Sequence, residues 1–91
     1  MKLQDALFNW LQIQLVADAR PDDGAARETV AFFEQVLRED HGVTEMSIAA
    51  QDATMVHVRY RVRETTKLQL FDREAAEQLL ADIETHPHHY G

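Results

Sequence analysis

The chain of 91 residues predicts an α+β fold: two N-terminal helices, a three-stranded antiparallel meander and a C-terminal helix, with the helices mainly on one face of the sheet. Three observations carry this. Between Thr54 and Phe71 the side chains alternate, with Val56, Val58, Tyr60 and Val62 on one face and Met55, His57, Arg59 and Arg61 on the other, the period of two of a half-buried strand. The flanking stretches Leu3–Ala19, Gly24–Asp40 and the run after Asp72 instead place apolar residues at helical spacing. Turn and cap residues fall at the joints between these patterns.

In the first helix, Leu3, Ala6, Leu7, Trp10, Ile13 and Ala17 form an apolar arc that Phe8, Leu11 and Leu15 widen. One core needs an apolar stripe of little over 100°, so this helix is expected to pack partly on its own domain and partly on a second chain. Leu3, Leu7, Phe8, Trp10 and Leu11 are the expected dimer or partner interface. Arg20-Pro21-Asp22-Asp23-Gly24 reads as a turn whose Asp caps the next helix. That second helix is two-sided, with Ala26, Thr29, Val30, Phe32, Phe33, Val36 and Leu37 opposite Arg27, Glu28, Glu34, Gln35 and Arg38, and Gly42 is placed to end it.

Val43–Ala50 reads as the first strand, with Gln51-Asp52-Ala53 linking it to the second. If Glu64-Thr65-Thr66 links the second to a third, Ile48 faces Val56, Met46 faces Val58, Tyr60 faces Leu70 and Val62 faces Leu68, and every apolar pair lies on one face. Glu45 then stands opposite Arg59. Asp72 is expected to cap the last helix, whose buried stripe is Ala75, Ala76, Leu79, Leu80 and Ile83, with Phe71 stapled back onto Ala76. Residues 86–91 are expected to be a flexible polar tail, and the whole of 1–91 a single small domain.

The sequence carries a net charge of −7, unevenly spread. Residues 1–40 hold four basic and eight acidic groups, residues 41–71 four and three, and residues 72–91 one and five. The basic side chains His57, Arg59, Arg61, Arg63 and Lys67 therefore collect on the sheet, a possible anion-binding face. An acidic exterior and the inward phase of Tyr60 argue against nucleic acid as the ligand. The order helix, three strands, helix over residues 24–85 resembles the double-stranded RNA-binding domain. Asp72-Arg73-Glu74-Ala75-Ala76-Glu77 is acidic where that family is basic, so the resemblance implies a similar order of elements and not RNA binding.

No cysteine is present, which excludes disulfides and thiolate chemistry and suits the cytoplasm. Ser47 is the only serine and has no base at recognisable spacing, and there is no glycine-rich phosphate loop. His86, His88 and His89 have imidazoles suited to a divalent metal but sit on the tail, so no metal or cofactor is expected. No run is long and apolar enough to span a membrane. The sequence thus predicts a small non-enzymatic protein-binding or regulatory module, cytoplasmic and homodimeric through its first helix, with anion or nucleic-acid binding by the basic sheet face as the alternative.

Overall fold

A computed structural model describes residues 1–85 and has the expected order: α1 (Leu3–Ala19), α2 (Gly24–His41), β1 (Val43–Gln51), β2 (Met55–Val62), β3 (Thr65–Asp72) and α3 (Arg73–Thr85). The anticipated tail with His86, His88 and His89 lies outside the described residues. The strands form one antiparallel sheet in the order β1-β2-β3.

Caps set the helix limits. The Asp23 side chain accepts the Ala26 amide at 2.9 Å to start α2, and Gly42 ends it at φ 69°, with its N–H returned to Arg38 and Leu37. Asp72 accepts the Ala75 amide at 2.8 Å at the head of α3, as its position in the sequence predicts.

The wide apolar arc of α1 is consumed within the chain. Ala6, Leu7, Trp10, Leu11 and Leu15 join Leu37 of α2, Val43 of β1, Val56, Val58 and Tyr60 of β2 and Ala76 of α3 in one buried cluster. Ile13 and Val16 meet Ala26 and Ile83 in a second cluster, where all three helices converge. A helix with neighbours on three sides needs apolar residues on three sides. The expected interface on α1 is corrected accordingly: Leu7 and Leu11 are 0% exposed and Trp10 2%, so none can reach a second chain. Leu3 and Phe8 are half-buried and pack against the same cluster, Phe8 with its ring 5.6 Å from that of Phe71. Phe71 thus meets Phe8 as its aromatic partner and packs against the cluster that holds Ala76.

The strand register departs from expectation twice, with different consequences. The first loop is one residue later than predicted, at Asp52–Thr54, so opposing residues shift by two: Ile48 faces Val58, Met46 faces Tyr60, and Glu45 faces Arg61 in place of Arg59. An even shift keeps each residue on its face. The second loop is two residues, Arg63-Glu64, and not three, so Tyr60 faces Lys67 and Val58 faces Gln69. This shift is odd, and it turns β3 over. Leu68 and Leu70 leave the core and stand 52% and 43% exposed on the outer face, opposite Arg59 and His57, while Phe71 takes the inward position. Lys67 correspondingly lies on the helix side.

The two turn residues have φ 52° and 68°, the left-handed pair that matches the twist of a two-residue hairpin, although neither is glycine or asparagine. Replacing Arg63-Glu64 by Asn-Gly should raise unfolding stability by about 1 kcal/mol, measured by urea denaturation, because the native residues oppose this geometry. In the same assay Leu11→Ala should cost ~2–5 kcal/mol, whereas Leu68→Ala should change stability by at most about 0.5 kcal/mol. A large loss at Leu68 would place it in the core after all.

Candidate interaction face

All three helices stack on the side of the sheet that carries Val56, Val58 and Tyr60. The opposite side is formed by residues that alternate with the core set: Met55, His57, Arg59 and Arg61 on β2, and Leu68 and Leu70 on β3. An antiparallel sheet tolerates one wet face, but it then normally alternates apolar inward and polar outward. Here β3 breaks that rule, and two large aliphatic side chains stand beside guanidinium groups.

Charge on this face is graded along the strands. At the β1–β2 loop end, Asp52 Oδ2 lies 3.3 Å from His57 Nε2, and Asp72 is the cross-strand partner of Met55. Toward the β2–β3 turn the face becomes basic through Arg59 and Arg61. Among the described residues neither arginine forms an ion pair, although Glu45 is the register partner of Arg61 and Ser47 of Arg59. Arg63 occupies the turn itself. Of the five basic side chains singled out in the sequence, the structure brings three, His57, Arg59 and Arg61, into one row on β2; Lys67 projects on the other side.

Asp52 does more than pair with His57. Its Oδ1 accepts the backbone amides of Thr54 at 2.9 Å and Met55 at 2.8 Å, closing the loop as an Asx turn. The Thr54 amide foremost, then that of Met55 and the His57 ring, hold the Asp52 carboxyl down from an ordinary 3.8 to about 2. The loop is tied onward to α3: Arg73 Nη1 donates to the Asp52 carbonyl at 2.8 Å, and the Arg73 amide to the Thr54 carbonyl at 2.9 Å. Arg73 also reaches Glu77 one turn along, at 3.2 Å. These bonds fix the edge of the face at which His57 stands.

Two shallow depressions lie elsewhere. One of about 480 Å³ runs between α1 and α3 and is lined by Phe8, Gln12, Asp72, Glu74, Ala75 and Gln78. Another, about 270 Å³, is bounded by Trp10, Glu34 and Met46, where the Trp10 indole N–H donates to Glu34 at 3.4 Å. The second is also lined by Ser47, which among the described residues makes no hydrogen bond to Glu34, and the first holds carboxylates without a nucleophile. Among the described residues no group of three or more His, Asp or Glu side chains is arranged to hold a metal ion, and no helix is long and apolar enough to cross a membrane.

Sequence reasoning found the arginine row but missed Leu68 and Leu70, because it assigned them inward. The available signal was Phe71: by alternation, a strand that presents Phe71 to the core presents Leu70, one residue before it, and Leu68, three before it, on the opposite face. No family model, curated protein or solved structure gives a significant match to this chain.

Acid should loosen the β1–β2 loop. Because the folded Asp52 carboxyl ionises below its unfolded value, the stability it contributes is present above that ordinary 3.8 and is lost as pH falls toward 2. Urea midpoints compared at pH about 5 and about 2.5 should therefore fall further for the native chain than for Asp52→Asn. Equal acid sensitivity would remove Asp52 from the account.

Proposed function

We propose that this protein is a binding module whose outer sheet face takes an acidic, amphipathic segment of a partner protein. What carries the reading is the coincidence, on a face covered by no element of the chain's described residues, of exposed Leu68 and Leu70 with the guanidinium groups of Arg59 and Arg61, which form no ion pair among those residues. Leucines at 52% and 43% exposure lose water when covered, and each ion pair that forms beside them does so in a drier setting than on open surface. Arginine also matches a carboxylate with two parallel hydrogen bonds, which gives such a segment a defined position.

The face suits carboxylates better than nucleic acid. Sheets that read single strands stack bases on exposed aromatic rings, whereas Tyr60 is buried here and the outer positions hold leucines. The chain's net charge of −7 further opposes a polyanion that cannot confine itself to the arginine row. A regulatory adaptor, an inhibitor and an immunity-type protein all work by such contacts, with no chemistry on the bound segment.

The test is a nuclear magnetic resonance titration with a synthetic peptide of alternating leucine and glutamate, set against a short oligothymidylate of similar charge. The peptide should shift amides of β2 and β3, and Arg59→Glu with Arg61→Glu should weaken it at least about tenfold, as expected when two charge-assisted contacts reverse sign. Shifts confined to the helices, or equal binding of the oligonucleotide, would overturn the reading.

A further inference from the structure

The two edges of the sheet are built differently. β1 is irregular at two places, between Val43 and Glu45 and between Ile48 and Ala50, and such bulges twist an edge away from a would-be neighbour. β3 pairs with β2 without a break from Thr65 to Asp72 and contains neither proline nor bulge. Lys67 is its only charged residue before Asp72.

Which backbone groups of β3 are free follows from its turn. In a two-residue hairpin the flanking residues Val62 and Thr65 bond each other, and bonded and non-bonded pairs alternate from there. The Arg73 amide donating to Thr54 marks the far end of the same phase. The N–H and C=O groups of Thr66, Leu68 and Leu70 therefore point away from β2. Among the described residues the Leu70 carbonyl is met only by the neighbouring Gln69 side chain, at 3.3 Å.

From these observations we propose that β3 pairs antiparallel with β3 of a second copy of this chain, joining two sheets into one of double width. The register is set by charge and shape. Placing Gln69 opposite Gln69 of the second copy puts Leu68 against Leu70, Leu70 against Leu68 and Thr66 against Asp72, so four leucines become contiguous on the outer face. Lys67 of the second copy arrives opposite Phe71, beside Asp72 and Glu74, which line the groove between α1 and α3. That groove is acidic and the arriving side chain is basic. The neighbouring register, centred on Leu68, would instead set Glu64 against Asp72, two like charges directly opposed. The pairing leaves Arg59 and Arg61 uncovered on β2, so it does not rest on the peptide-binding reading and doubles the proposed face if both hold.

Sedimentation at about 100 µM, a concentration that populates micromolar dimers, decides the matter for the native chain, Leu68→Pro and Leu68→Lys. The Leu68 N–H points away from β2 and has no partner among the described residues, so proline there spares the hairpin and blocks the new ladder. We expect a native dimer, and folded monomers, by circular dichroism, for both variants. Because the chain has no cysteine, Gln69→Cys should oxidise to a covalent dimer across the twofold axis, where the facing Cα atoms of a non-bonded pair are close, while Lys67→Cys should not. Arg59→Glu with Arg61→Glu should stay dimeric, which separates this interface from the peptide face. A native monomer, a dimer that survives both Leu68 variants, or cross-linking through residue 67 in place of 69 would overturn the proposal.

Discussion

The structure depends on the burial of α1. A sheet of three strands is too narrow to shelter three helices side by side, so one of them has to be wedged between the others while still touching the strands. Leu7 and Leu11 bridge the sheet to the flanking helices, and Ile13 and Val16 close the junction of all three. The neighbours of α1 can then be two-sided and ordinary. Arg27, Glu28 and Arg38 on α2, and Glu74, Gln78 and Asp82 on α3, stay in water, while α1 supplies more of the buried core than any other element. The acidic exterior is a consequence of that division.

Sequence patterning made most of this architecture legible. Capping by Asp23 and Asp72, termination at Gly42 and the inward set on β2 are local decisions that a few residues determine, and the structure follows them. The breadth of the α1 arc was legible too, but its meaning was not: a count of apolar positions cannot distinguish a third neighbour in the same chain from a neighbour in another. Only the three-dimensional arrangement separates Trp10 as core from Trp10 as interface.

The hairpin shows where local rules stop. Residues 64–66 read as a loop because threonines and a glutamate interrupt the apolar pattern, and nothing in Arg63-Glu64 advertises a left-handed turn. Two leucines appeared the obvious core residues of β3, yet the ring of Phe71 against Phe8 takes that role. The preference for one large aromatic contact near the start of α3, over two aliphatic ones farther along an uncovered stretch, is a tertiary effect with no signature in spacing. A turn without its favoured residues and leucines without a core are both departures from local consistency, and such departures tend to gather where a protein does its work.

A sheet that is dry on one side only also divides the labour among its residues. Val56, Val58 and Tyr60 are bound to the helices, and any change there is felt throughout the core. Their immediate neighbours Met55, His57, Arg59 and Arg61 carry no such duty. Substitutions at alternate positions of a single strand can therefore rewrite the chemistry of the outer surface while the scaffold stays the same, which makes this fold an evolvable platform: a lineage can change that surface without first having to solve folding again.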